Sequence, residues 1–475
     1  MSGAGERSPT ASLGLLDATM VGIGAMIGAG IFVLTGLAAE TAGPGALIAF
    51  ALNGGVTAFT ALSYAELAAA IPRNGGGYAY VREAFSAPIA FVMGWTRWFT
   101  YMAAGALYAL GFSSNFIEFV HIYLPSLPEF TVLYALLAVA AFVALNALST
   151  EAAGGAETIV TLIKIVILFV FVAFGFAAVS ATEFTPLFPA EGAVSVLPAM
   201  GLTFIAFQGY DLIATVTEEV ENPRRNIPRA IFVSLAVTIV IYLLVVFVAI
   251  GTLGADQLGA AGETAIARAA GGFMPAIPLL GTGAALIAFG AVFSTISALN
   301  AVVIGSSRIA FAMGRERQLP RRLGQLHPRY GTPFVAVLAS AALMLLSVLV
   351  VPIRTVGNLA RLFSLLGFIV VNLSVIRLRR RQPNLLRPFS IPYYPIPPIL
   401  GIVVNLLLGL FISPRTWAIA IGWLVIGGGV YSLLERRKER AEPSSTDPSD
   451  AEPAGTDRTT TDPEGTSRQA DEGER

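Results

Sequence analysis

The chain is built mostly of apolar runs of about 20 residues or more, the length that crosses the hydrocarbon core of a bilayer as a helix. We read twelve of them, at 14–37, 46–70, 86–117, 131–149, 156–179, 194–216, 230–251, 277–303, 333–351, 357–376, 395–412 and 415–434. A long apolar helix can also lie in the core of a large soluble protein. Twelve in succession leave too little polar sequence to cover such a core: 55% of the 475 residues are hydrophobic and 13% are charged, against about 25% charged in soluble domains. The sequence therefore predicts an all-α polytopic membrane protein, with the lipid bilayer as its principal partner.

Several function classes drop out on inventory. The formal net charge is zero, so no nucleic acid is expected as a partner. With no Cys and only His121 and His327, thiolate, iron–sulfur and histidine-based metal chemistry have no ligands, and no metal or cofactor is expected. A membrane enzyme would need convergent catalytic groups that this inventory does not offer. A channel or receptor would carry a repeated pore-lining motif, and no nucleotide-binding motif is present. No cleavable leader stands apart from the first run, which is expected to be retained.

Lys and Arg collect in cytoplasmic loops. Here they collect at 71–85 (Arg73, Arg82), 218–229 (Arg224, Arg225, Arg229), 305–332 (Arg308, Arg315, Arg317, Arg321, Arg322, Arg329), 377–390 (Arg377, Arg379, Arg380, Arg381, Arg387) and in ERRKER after the last run. Loops 118–130 and 180–193 have none, and 252–276 has only Arg268. The pattern places the two termini in the cytoplasm, and the even span count, which puts them on one side, agrees. Residues 1–12 form the cytoplasmic N-terminus. Residues 441–475, rich in Ser, Thr, Pro and acidic groups, read as a disordered cytoplasmic tail.

Two runs are disturbed. The first contains GAMIGAGIF at 24–32. Gly24 and Gly28 stand at the G-x-x-x-G spacing that lets helices approach closely, which is one reading. The sixth run, TFIAFQGYDLIATVT at 203–217, places Gln208, Gly209 and Asp211 at membrane depth, where a charge is costly and seldom accidental. Glycine-interrupted spans at corresponding positions of two halves point to a binding site at the midplane, which is the second reading. Where such a helix unwinds, amides near Gly28, Ala29 and Gly30 suit a carboxylate, helped by the positive end of the next half-helix. The carbonyls just upstream, and near Phe204, suit an ammonium group. An α-amino acid carries both.

Lys164 lies near the middle of the fifth run, in TIVTLIKIVILFVF; the other lysine is Lys438, in the cytoplasmic flank. A buried ammonium needs a partner or gives up its proton. Lys164 is thus either a proton carrier that grips and releases carbonyls of the first span, or a permanent tie between spans five and one. Ser294, Thr295 and Ser297 of the eighth run offer hydroxyls for a sodium site, or bonds back to their own helix. Glu157, two turns before Lys164, is read as a helix N-terminal carboxylate or a proton relay. Glu66 is expected to cap or pair with loop arginines. Arg97 and Arg361 are expected to pair with carboxylates across the bundle that the sequence does not identify.

The most specific stretches are GIGAMIGAGIFVLTG in the first run, FQGYD followed by EEVENPRRNIPRAI, and SYAELAAAIPRNGGGYAYVREAF at 63–85. On these the chain, over residues 11–436, resembles the amino acid–polyamine–organocation superfamily of transporters. The resemblance implies a LeuT-like fold: two inverted five-helix repeats, 13–179 and 194–376, with two peripheral helices at 395–434. It implies a substrate site made by Ile23, Met26, Ile27, Gly28, Ala29 and Gly30 of the first span and Phe204, Ile205, Phe207 and Gln208 of the sixth. Lys164 resembles the fifth-span lysine of the proton-coupled members. Asp211, and Glu218 and Glu219 with Arg224 and Arg225, match gating positions. The aromatic gate of many relatives falls here on Ile205, beside Phe204, so the resemblance leaves three readings: Phe204 is the gate, the gate is weaker than usual, or Ile205 simply gives a roomier pocket. The function implied is secondary transport of an amino acid across the plasma membrane, as proton symport or, alternatively, as amino acid antiport. The oligomeric state is left open.

Overall fold

The computed structural model describes residues 12–121, 123–276, 281–350, 353–410 and 412–441. Residues 1–11, the expected tail beyond 441 and the expected start of the eighth run at 277–280 lie outside the described residues. The elements are α-helices α1 (Leu15–Met26), α2 (Ala29–Ala42), α3 (Ala46–Ala70), α4 (Gly77–Ala84), α5 (Ala87–His121), α6 (Thr131–Leu148), α7 (Thr150–Phe176), α8 (Val196–Thr203), α9 (Tyr210–Ile213), α10 (Pro223–Leu253), α11 (Ala255–Ala261), α12 (Ala265–Phe273), α13 (Gly283–Arg315), α14 (Phe334–Val350), α15 (Ile353–Arg381), α16 (Ile396–Gly409) and α17 (Pro414–Ala441). The described residues up to Leu434 form one compact unit.

Among the described residues nine helical stretches are long and apolar enough to cross a membrane, and α14 and α16 carry two shorter apolar ones. Helix α5, 35 residues long, carries Arg97 within its length. This is a multi-pass membrane protein. Its helices invert the soluble pattern. On α7, Ile159, Leu162, Val166 and Phe169 are exposed at three- and four-residue spacing, whereas Glu157, Thr161, Lys164, Leu168 and Phe171 on the opposite face are buried. The apolar stripe suits lipid and the polar stripe faces other helices.

The helices run past the apolar runs wherever a polar end still forms a helix. Helix α7 begins at Thr150 rather than 156, because the Ser149 hydroxyl caps it by accepting the Ala152 amide at 3.1 Å. Helix α10 begins at Pro223, a residue suited to a first helical turn. Helix α13 continues through GSSRIAFAMGR to Arg315. Hydropathy alone marks none of these extensions, nor the short helices α4, α11 and α12 between spans.

Helix α1 sits at the centre, packed on α7, α10 and α13; α3 packs on α10, and α5 on α13 and α15. Where α3 ends, Glu66 holds Arg379 (Nε to Oε1 2.8 Å, Nη2 to Oε2 2.5 Å) and accepts the Ile391 amide at 2.8 Å, tying α3 to the end of α15.

Candidate functional site

Helix α1 stops at Met26. Ile27 and Gly28 depart from helical geometry, with φ/ψ of −77°/62° and −88°/−146°, and α2 starts at Ala29. The break thus falls on Ile27 and Gly28, at the start of the Gly28–Gly30 stretch whose amides were expected to be exposed, and Gly30 already belongs to the first turn of α2. None of Gly24, Gly28 and Gly30 adopts a left-handed backbone; what they supply is room. A Cβ on Gly30 would lie 2.9 Å from that of Ala206, one on Gly28 3.0 Å from that of Ala298, and one on Gly24 would run into Glu157, Thr161 and Ser297.

The second break follows α8. One 3-10 turn, Phe204–Phe207, leads to an extended Gln208 and to Gly209 at φ 141°, where a side chain is rarely tolerated. The short α9 and a 3-10 segment, Ala214–Glu219, complete the span. A Cβ on Gly209 would meet the Met26 amide nitrogen at 2.7 Å, so the two breaks lie against each other.

Unwinding frees carbonyls that must find donors in a membrane interior. Lys164 of α7, fully buried, gives its three ammonium protons to the Gly24 carbonyl (2.8 Å), the Ile27 carbonyl (2.7 Å) and Ser297 Oγ (2.8 Å). The Ser294 hydroxyl is shared between the carbonyls of Ile27 (2.5 Å) and Gly28 (2.9 Å). Tyr242 of α10 donates to the carbonyls of Met26 (2.6 Å) and Ala206 (2.9 Å), joining the two breaks. The α1 carbonyls expected to receive a ligand's ammonium are therefore already taken by the chain's own donors. Thr295 bonds back to its own helix, at Ala291 and Val292 (2.9 Å each).

A cavity of about 300 Å³ lies between the breaks and helices α5, α13 and α15. Of the residues expected to bind a ligand, Met26, Gly30, Ile205 and Gln208 line it. Ile23, Ile27, Gly28, Phe204 and Phe207 do not: Phe204 faces Phe368 at 6.3 Å between ring centroids, and Phe207 packs on Phe50 and Tyr242 at 6.2 and 5.1 Å. The Ala29 side chain lies outside the described residues. Ala25, Ala103, Ala104, Leu107, Val302 and Ala360 make the remaining wall largely apolar. Polar groups also reach the cavity, among them Gln208, Arg97, Asp211 and Asn115. Gln208 Oε1 accepts from Ser364 at 2.9 Å, while its buried Nε2 has no partner.

Asp211 and Arg97, both buried and both lining the cavity, form an ion pair with each other. Tyr101 completes a triangle, accepting from Arg97 at 2.7 Å and donating to Asp211 at 2.5 Å. The Gly209 amide donates to the other Asp211 oxygen at 3.1 Å, and Arg97 also reaches Ser364 at 3.2 Å. The carboxylate partner that the sequence left unidentified for Arg97 is thus Asp211. For Arg361 no carboxylate partner is found among the described residues; its guanidinium fills the space beside Gly201.

Further along the chain, Glu219 is held by Arg308 in a buried two-pronged pair (2.7 and 3.0 Å), and Glu218 by Arg315 (2.7 and 3.0 Å). These carboxylates were expected to act with Arg224 and Arg225, which are instead exposed in the first turn of α10. The Glu219 carbonyl accepts the amides of Ser12 and Leu13, 2.9 Å each, anchoring the start of α1 to the end of the second broken span. Sequence reasoning missed Tyr242 and the arginine partners on α13. A hydroxyl inside the aliphatic run IFVSLAVTIVIYLLVV was the available signal for Tyr242.

The sequence model of a family described as amino acid permease matches residues 13–430. A branched-chain amino acid permease of Bacillus subtilis is 32% identical over 92% of this chain and 95% of its own length. A methylthioribose transporter of the same species is 28% identical over 91% and 95%. A serine/threonine exchanger, also of Bacillus subtilis, is 28% identical over 90% and 97%.

Proposed function

The chain belongs to the amino acid permease family, and from that premise we propose that it moves a neutral, apolar-sided amino acid across the plasma membrane by proton symport. The family is one of transporters rather than enzymes. The observation that carries the coupling reading is Lys164, whose three protons hold two carbonyls at the break of α1 and the Ser297 hydroxyl of α13. A charged Lys164 fixes α1; a neutral one has one donor fewer and loosens it. Alternating access then follows from the protonation of one side chain.

The substrate carboxylate binds the unpaired amides at the start of α2, near Ala29 and Gly30. The ammonium turns toward the Ile205–Gly209 stretch and the free face of Gln208. The side chain lies along Ala103, Ala104, Leu107 and Val302. Asp211 is matched by Arg97, so it offers no counter-ion to a cationic substrate. The branched-chain specificity in the name of one relative agrees with this pocket.

Twelve spans arranged as two inverted repeats of five, with α16 and α17 peripheral, account for the two broken helices and for the pairing of α3 with α10 and of α5 with α13. Both termini face the cytoplasm. The cavity reaches Asn115 and Thr264 toward the arginine-poor loops. The Arg97–Asp211, Glu219–Arg308 and Glu218–Arg315 pairs close the cytoplasmic side. Exchange of one amino acid for another is the competing reading, favoured by the exchanger among the relatives.

The test is uptake of labelled amino acids by proteoliposomes, with and without an inward proton gradient. Gradient-driven accumulation of leucine-like substrates, with lysine and arginine as poor competitors, is the expected result. Uptake that ignores the gradient and requires internal amino acid would make the protein an exchanger.

A further inference from the structure

Glu157 is a carboxylate with no solvent exposure, on the same buried face of α7 as Lys164. It is not the first-turn carboxylate expected at a helix N-terminus. The helix starts at Thr150, Glu151 occupies the first turn, and Glu157 stands two turns inside. Gly24 of α1 leaves the space in which its carboxyl group sits. Oε1 accepts from the Ser297 hydroxyl and, at 3.0 Å, from Thr161; Oε2 accepts from Asn300 Nδ2 at 2.8 Å. Asn300 is held in turn by Asn146, at 2.9 Å.

We propose that Glu157 is the internal proton acceptor for Lys164, reached through the Ser297 hydroxyl. The inference rests on the proton-coupled reading of Lys164 and extends it to a second titrating residue. Lys164 Nζ donates to Ser297 Oγ at 2.8 Å, and Ser297 donates to Glu157, so three groups form one oriented chain. In the transfer, a Lys164 N–H bond breaks as an O–H bond forms at Ser297. The original Ser297 proton moves to Glu157 Oε1. Serine ends as it began, the ammonium has become an amine, and the carboxylate a carboxylic acid.

The pair passes from opposite charges to two neutral groups, with no net charge left unmatched in the membrane interior. Lys164 keeps two N–H groups for the Gly24 and Ile27 carbonyls, but those bonds lose their charge assistance and with it part of their hold. The other titratable groups nearby are few. Asp17 on α1 is engaged by Thr158 at 2.8 Å, and Tyr242 on α10 is turned to Met26 and Ala206. From α13 and α6 the facing groups are Ser297, Asn300 and Asn146, none of which titrates in this range.

The experiment uses full-length protein in proteoliposomes carrying an internal pH dye, with leucine as the probe substrate. Wild type, Lys164→Ala, Glu157→Gln, Ser297→Ala and Ser297→Thr are compared for substrate-elicited proton entry and for accumulation under a proton gradient. The expected result is that Glu157→Gln and Ser297→Ala lose proton entry, with accumulation falling to the level of the leucine gradient alone, while Ser297→Thr retains both. Proton entry preserved in Glu157→Gln but lost in Lys164→Ala would overturn the role of Glu157 alone. If Glu157→Gln does not fold, equal proton entry in the two Ser297 variants would overturn it. Leucine uptake by wild type without proton entry would overturn the coupling reading itself, and this inference with it.

Discussion

The Lys164 ammonium nitrogen stands 2.7 Å from the carbonyl oxygen of Ile27, the residue at which the first broken span unwinds. A second bond from the same nitrogen reaches Gly24, one turn earlier. A cation therefore occupies the place where freed helix-end carbonyls of α1 come closest to α7 and α13. In this account that single contact links protonation to the position of α1, and so to which side of the membrane the cavity faces.

Tyr242 bridges the two breaks through one hydroxyl shared by the Met26 and Ala206 carbonyls. Tyr242→Phe leaves both without that donor in a buried setting, at a cost of about 1–3 kcal/mol. The expected outcome is a lower unfolding temperature in detergent and weaker substrate binding, since the breaks that frame the cavity are no longer tied. A thermal melt with and without substrate measures both effects. An unchanged melt would remove Tyr242 from the account.

Asp211 and Arg97 are buried together, so removing one charge should be worse than removing both. Asp211→Asn leaves the guanidinium unmatched and is expected to cost about 3–5 kcal/mol. Arg97→Gln combined with Asp211→Asn should be markedly less damaging. Unfolding of the two single variants and the double variant, compared as a cycle, tests this. Additive losses would show that the two charges do not depend on each other.

The apolar spans and the two breaks were legible in the sequence because they depend on local properties: hydropathy over a membrane thickness, and glycine where backbones come close. Lys164 was legible because a lone ammonium in an aliphatic run has few tolerable roles. The partners were not. Asp211 reads as a gating charge, but nothing near it in the sequence points to Arg97, from a distant helix, as its partner, and Glu219 gives no sign that Arg308 rather than Arg224 will hold it. Such pairings are set by how helices stack, which leaves no periodicity in either segment. The glycines of the first span illustrate the same limit. Their number announced a special segment, but their purpose, admitting Ala206, Ala298 and Glu157, depends on neighbours far along the chain.

The chain has no cysteine, so a single introduced thiol reports on access without a background. Ala104 lines the cavity. Ala104→Cys is expected to react with a membrane-impermeant thiol reagent applied from the outside of oriented vesicles, and to be protected by substrate. From the cytoplasmic side it should react only when Glu219→Gln has weakened the pair with Arg308. Labelling from the cytoplasmic side of the otherwise intact protein would reverse the assignment of the closed side.

The most direct measurement of the central claim is proton-driven uptake by wild type and Lys164→Ala side by side in proteoliposomes, each also assayed for exchange at zero gradient. The account predicts that wild type accumulates substrate against its gradient when protons flow inward and that Lys164→Ala does not, its uptake levelling at equilibrium. Undiminished gradient-driven accumulation in Lys164→Ala would contradict the account and leave Lys164 as a fixed tie between α7 and α1.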